Sequence, residues 1–190
     1  MSQWKWQSTK LEGMRVIESF YTVDERGYFW KYFQEEALKQ IGWQGTVSET
    51  FVSFSHQHVL RGMHIQQPYP QEKLVHVLWG EIWDVGVDLR PNSVTYGQWD
   101  GVCLSRENRR GLYLPAGIAH GFVVRSETAL VSYVCAGEYL PEGDGGIRWD
   151  DPQIRIDWGL RQNEVPIVSK RDRELPTLAE WERWGWQWTR

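Results

Sequence analysis

Between Thr46 and Gly137 the chain breaks into short runs rich in Val, Tyr, Trp and Phe, separated by Gly, Pro, Asn and Ser. Runs of strand length divided by turn residues predict an antiparallel barrel or sandwich. The stretch Glu81-Ile82-Trp83-Asp84-Val85-Gly86-Val87-Asp88 shows the period of two: Trp83, Val85 and Val87 fall on one face, Asp84 and Asp88 on the other. Arg90-Pro91-Asn92-Ser93 then turns the chain. Helical signals are few. Glu35 to Ile41 ends on Gly42, a glycine stop, and Leu178 to Trp188 follows Pro176-Thr177. Within the second segment Trp181, Trp184 and Trp188 recur at spacings of three and four, a stripe expected to pack on the barrel or on a partner subunit. The pattern predicts an all-β protein with short peripheral helices.

Composition narrows what such a domain could do. A length of 190 residues suits one domain, so residues 1–190 are expected to fold around a single core. Two cysteines, Cys103 and Cys135, are too few for a disulfide framework and too far apart for a zinc or redox pair. The net charge of -4 argues against a nucleic-acid binder, because such proteins carry a positive excess that replaces counterions along the phosphates. No apolar run has signal-peptide length at the N-terminus, and none reaches the roughly 20 residues needed to cross a bilayer. A cytoplasmic protein without membrane contact is the expectation, and any anionic ligand must be held by local cations. The 13 tryptophans are expected to fill core and interfaces, with stacking on a sugar or base as the functional alternative.

Two of the five histidines sit in unusual settings. His64 lies in Val59-Leu60-Arg61-Gly62-Met63-His64-Ile65-Gln66, where a glycine permits close backbone approach and an arginine adds a fixed charge. His120 closes Pro115-Ala116-Gly117-Ile118-Ala119-His120, a Pro-x-Gly-x-x-His turn. That turn resembles the second signature of the cupin superfamily, whose fold is a double-stranded β-helix, or jelly roll. Metal-binding cupins present His-x-His in their first signature, and here the triplet is His64-Ile65-Gln66. Glutamine is a poor ligand for a borderline metal, so neither a metal nor another cofactor is expected. A metal site built from His64, His120 and Glu72 is the competing arrangement.

From about Arg15 to Pro176 the chain resembles the dTDP-4-dehydrorhamnose 3,5-epimerase family. The motifs that carry the resemblance are Asp24-Glu25-Arg26-Gly27-Tyr28-Phe29, Val59 to Gln66, Lys73-Leu74-Val75, Gly80 to Arg90, Ser93-Val94-Thr95-Tyr96-Gly97, Pro115 to Phe122, and Ile147-Arg148-Trp149-Asp150-Asp151-Pro152. The implied reaction removes a hydrogen next to a ketone and returns one to the opposite face, which needs a positioned base and a positioned acid. The resemblance assigns the base to His64 and its carboxylate partner to Asp172, in Val168-Ser169-Lys170-Arg171-Asp172. It assigns the acid to Tyr133 and stabilisation of the enolate oxygen to Lys73. His120 and Asp84 would complete the polar lining. Arg26, with Phe29 of the same motif, and Arg61 match positions near the ligand, the arginines at its diphosphate. Tyr139 matches an aromatic that stacks on the nucleotide base. The resemblance also implies a homodimer in which N-terminal strands cross between subunits.

The chain departs from the family where the family reads thymine. The usual acidic residue after the first motif is Lys31, and the usual Gln and Asn of one strand are Glu49 and Phe51. Glu49 and Phe51 are two apart and share a strand face. A carboxylate only accepts hydrogen bonds. Guanine offers two adjacent donors and cytosine an exocyclic amine, so GDP or CDP is a candidate carrier instead of dTDP. Three other functions compete: a 3,4-ketoisomerase of the same fold, a noncatalytic sugar-binding cupin, and a metal-dependent cupin.

Overall fold

A computed structural model of the chain describes residues 4–183. Its first half holds β1 (Lys5–Ser8), β2 (Arg15–Glu18), β3 (Phe20–Asp24), β4 (Gly27–Lys31), helix α1 (Glu35–Lys39), β5 (Val47–His56), β6 (Val59–Gln66), β7 (Glu72–Trp79) and β8 (Glu81–Asp88). The second half holds β9 (Trp99–Ser105), β10 (Arg110–Leu114), β11 (Ile118–Val124), β12 (Thr128–Ala136), β13 (Asp144–Gly146), β14 (Ile167–Val168), α2 (Lys170–Arg173) and α3 (Leu178–Arg183).

Strands β5 to β12 pair as one long hairpin folded on itself. β8 pairs with β9, β7 with β10, β6 with β11 and β5 with β12, all antiparallel. Cross-pairing of β7 with β12 and of β8 with β11 joins these into two sheets. One has the order β1-β2-β10-β7-β12-β5, the other β13-β6-β11-β8-β9. First-with-last pairing distributed over two sheets is the jelly roll of the cupins, as the His120 turn implied.

The alternation of each strand divides its side chains between the interior and an outer layer. Between the sheets lie Val75, Val77, Leu112, Leu114 and Val131 of the first and Ile82, Leu104, Phe122 and Val124 of the second. The outer face of the second sheet is covered by the C-terminal segment, where Ile154, Trp158, Val168 and Leu178 pack on Met63, Val85 and Val87, with Trp181 at the margin. The outer face of the first sheet is covered by Leu38 of α1 and Trp43. The β3–β4 hairpin forms its own two-stranded sheet, and Trp30 and Tyr32 just beyond it lay their rings on His76 of β7.

The period read in Glu81 to Asp88 holds, and both of its faces are buried. Trp83, Val85 and Val87 join the outer cluster, while Asp84 and Asp88 point inward with no exposure. Asp88 is fully engaged by Arg90, Ser93 and Thr95 and fixes the turn that follows. Helix α1 ends at Lys39, short of Ile41, and Gly42 has the positive φ of +109° that the stop signal required. Trp184 and Trp188 lie outside the described residues. Among the described residues no helix is long and apolar enough to cross a membrane.

Candidate active site

The interior carries a band of polar side chains, and its construction begins with an irregularity in β6. Leu60, Met63 and Ile65 all pack in the outer cluster of the second sheet, although regular alternation would place Leu60 and Met63 on opposite faces. The register explains this: His64 stands opposite His120, but Arg61 stands opposite Phe122, so β6 holds one extra residue there. That β-bulge turns His64 inward. Gly62 permits it, with φ +126°; a Cβ there would lie 2.6 Å from Gly121 Cα and 2.8 Å from the His120 carbonyl oxygen.

Asp172 reaches the bulge from the C-terminal segment. β14 runs parallel to β6, with Val168 beside Leu60, and so delivers α2 to the bulge. Ser169 caps that turn, its Oγ accepting from the Asp172 amide at 3.0 Å. One Asp172 oxygen lies 2.8 Å from His64 Nε2, and the other accepts from the Gly62 amide at 3.1 Å. Burial pushes the Asp172 carboxyl up, but its bonds to His64, Gly62 and Ser169 outweigh burial and hold it below the usual carboxylate range. An ionised Asp172 can accept a hydrogen bond from Nε2–H of His64, the tautomer that leaves the lone pair on Nδ1. The His64 side chain is 28% exposed and the Asp172 side chain 5%.

A second imidazole–carboxylate pair lies deeper. His120 Nε2 is 2.6 Å from Asp84 Oδ1, with side-chain exposures of 5% and 0%. Burial raises the Asp84 carboxyl against the opposing pull of His120. Facing these pairs, the first sheet contributes Tyr133, Lys73, Phe51 and Glu49. Tyr133 is 6% exposed; Phe51 stacks on its ring at 4.6 Å and His120 meets it edge-on at 5.9 Å. Lys73 stands across from Cys135, which stands across from Glu49, in one row over β7, β12 and β5. Burial lowers the Lys73 ammonium, while Cys135, Asp144 and Glu49 act to raise it.

At the rim, Glu49 and Tyr139 line a groove of about 450 Å³ with Ser48, Gly137 and Glu138. Gln71 donates to Glu49 Oε1 at 3.2 Å and to the Gly137 carbonyl at 2.9 Å, which fixes the carboxylate's orientation. Arg61 is exposed, its guanidinium bonded to Ser55 Oγ and the Phe54 carbonyl. Arg171 pairs with Asp144 at 2.8 Å, and Asp144 also accepts from the Tyr139 hydroxyl. Sequence reasoning passed over Gln71 and Arg171, although Arg171 directly precedes Asp172 and could have been noticed there.

Arg26, Phe29 and Lys31 are not brought to His64 within one chain. Arg26 is exposed and paired with its neighbour Asp24. Phe29 and Lys31 line a groove with Thr50, Ser132 and Val134, on the outward side of β5 and β12. The metal arrangement of His64, His120 and Glu72 does not form. Glu72 points to the outer face, where it accepts from Tyr113 and from the amides of Gln44 and Gly45. Gln66, in the place of a second histidine ligand, bonds the backbone of Tyr69, Glu138 and Leu140.

The sequence profile of the dTDP-4-dehydrorhamnose 3,5-epimerases matches residues 8–180. The chain belongs to this family. A dTDP-4-dehydrorhamnose 3,5-epimerase of Methanothermobacter thermautotrophicus is 46% identical over 180 residues, covering 95% of this chain and 97% of that protein. The crystal structure of a dTDP-6-deoxy-D-glucose-3,5-epimerase from Legionella pneumophila, in complex with dTDP-4-keto-L-rhamnose, superposes with a TM-score of 0.88 at 40% identity, covering 93% of each chain. A 3′-monoepimerase from Streptomyces bikiniensis, in complex with dTDP-quinovose, has a TM-score of 0.84 at 32% identity, covering 93% of this chain and 89% of its own. As a member of the dTDP-4-dehydrorhamnose 3,5-epimerase family, the protein is an isomerase acting on a nucleotide-linked sugar.

Proposed function

We propose that the protein inverts C3, C5 or both of a nucleotide-linked 4-keto-6-deoxy sugar through a metal-free enolate, with His64 as base and Tyr133 as acid. The observation that carries this reading is the half-open His64–Asp172 pair facing a buried phenol on the opposite sheet. His64 Nδ1 takes the proton from the carbon beside the ketone, and the C–H electron pair moves into the enolate with its charge on the C4 oxygen. Asp172 stabilises the imidazolium so formed. The Lys73 ammonium offsets the charge on the oxygen. Tyr133 then gives its proton to the other face, and solvent restores both groups. Burial raises the Tyr133 hydroxyl, so it stays protonated between turnovers. In deuterated water the product is expected to carry deuterium at each inverted carbon; a product without it would exclude the enolate.

The carrier follows from the rim. Glu49 is held by Gln71 as an acceptor beside Tyr139, which suits the donors of guanine or cytosine better than thymine. GDP or CDP is therefore the proposed carrier. Calorimetric titration with GDP, CDP, UDP and dTDP tests it, and a clear preference for dTDP would exclude it. Residues 1–190 act as one cupin-type unit in a cytoplasmic homodimer. Exposed Phe29 on the hairpin and exposed Val52 and Phe54 on β5 supply an apolar surface for a second copy. Across that contact, Arg26, Phe29 and Lys31 would complete the partner's site.

A further inference from the structure

Beyond completing the polar lining, the buried pair His120–Asp84 has no step of its own once His64 is the base and Tyr133 the acid. Asp84 has no exposure, and among the described residues its one hydrogen bond is to His120. Its other oxygen, Oδ2, is buried without a hydrogen-bond partner among the described residues. A buried pair of ionisable groups is commonly no more stable than well-packed apolar residues of the same volume. Stability alone therefore gives little reason for it to be there.

The surroundings of the pair point to the phenol. His120 is held from behind by Asp84 at 2.6 Å and presents its ring to Tyr133 at 5.9 Å between centroids and 72° between planes. Phe51 stacks on the same phenol at 4.6 Å and 17°. Phe51 and Tyr133 stand opposite each other on β5 and β12, whereas His120 comes from the other sheet. The Tyr133 ring is thus fixed by contacts from both sheets. Burial favours the protonated phenol, Ser53 opposes it, and nearby Asp84 adds a smaller push in the same direction as burial.

We propose that His120 and Asp84 are positioning residues for the acid: the carboxylate fixes the imidazole, and the imidazole with Phe51 fixes the phenol on the face opposite His64. This rests on the reading of Tyr133 as the proton donor. It assigns the two pairs to different halves of the reaction. His64–Asp172 governs removal of the proton, and His120–Asp84 governs the accuracy of its return.

The test separates solvent exchange at the reacting carbon from inversion, using a 4-keto-6-deoxy nucleotide sugar in deuterated water. Deprotonation followed by return from the same face gives deuterium without inversion; delivery by the phenol gives both. In His120→Asn and Asp84→Asn, inversion is expected to fall about ten- to a hundredfold while exchange stays near that of the unaltered protein, because misplacing a reacting group acts on its own step. Asp84→Asn is nearly isosteric and decides the matter if His120→Asn does not fold. A proportional loss of both readouts would overturn the proposal, as would unchanged inversion or loss of exchange in His120→Asn. Tyr133→Phe is the control. If that variant leaves the ratio of exchange to inversion unaltered, the acid has been misassigned, a failure separable from that of the positioning pair.

Discussion

The barrel holds two imidazole–carboxylate pairs built from the same groups, and they differ in access. His64 is about a quarter exposed and Asp172 lies just beneath it, whereas His120 and Asp84 are sealed. Their carboxyls shift in opposite directions, Asp172 down and Asp84 up: Asp84 is sealed with His120 as its partner among the described residues, whereas the Gly62 amide also donates to Asp172 and Ser169 adds to the lowering. A third imidazole, His76, sits on the outer face under Trp30 and Tyr32 with Nε2 unpartnered among the described residues, and burial lowers it to about 3. Imidazole chemistry is thus set by what reaches each ring, and only His64 combines a fixed carboxylate with an open side.

The sharpest way to break this contrast is to exchange the open ring. His64→Asn is expected to lower both exchange and inversion about a thousandfold, as loss of a general base does. A His64→Asn protein that still exchanged deuterium would transfer the base role to the sealed pair. Lys73 comes next. Lys73→Met is expected to lower turnover about a hundredfold, as removal of a stabilising donor does. In the unaltered protein the alkaline limb of the turnover profile should fall below the ordinary lysine range, since burial lowers this ammonium and its charge is lost on deprotonation. Lys73→Met should lack that limb; an unchanged limb would mean that another group titrates there.

The smallest expected effect is on stability, and there the two carboxylates should differ in sign. Asp172 has a depressed folded pKa, so its contribution is present above the unfolded carboxylate range and disappears as pH falls through the folded value. Asp172→Asn should cost about 1–3 kcal/mol at neutral pH, the usual range for a buried charged hydrogen bond. Asp84 has a raised folded pKa, so its favourable contribution is complete below the unfolded range and is lost as pH rises through the folded value. Asp84→Asn should leave neutral-pH stability unchanged or slightly improved. Denaturant unfolding of both variants measures this, and equal losses would erase the distinction.

Much of the barrel was legible in the residues. The runs from Thr46 to Gly137 are strands, and the two faces of β8 were assigned correctly from alternation alone. The candidate site was legible only in pieces. Asp172 reads as an ordinary charge within Lys170-Arg171-Asp172-Arg173-Glu174, and its approach to His64 depends on the pairing of β14 with β6 across 108 positions of chain. Glu72 directly precedes Lys73 on β7, so strand parity puts it on the opposite face and out of reach of His64. Arg26, Phe29 and Lys31 share a motif with the site in sequence but stand on a separate hairpin in space, a separation that local pattern does not encode.

The extra residue in β6 means that the orientation of His64 is kept in the length of the strand rather than in any one side chain. Exchanging residues one at a time across that stretch would leave the count intact. Removing Met63 would instead restore even alternation with Arg61 and His64 still on the inner face, but it would take one side chain out of the outer layer and disturb the backbone geometry in which the Gly62 amide meets Asp172. A protein altered in this way would keep its imidazole facing the cavity and loosen the carboxylate behind it.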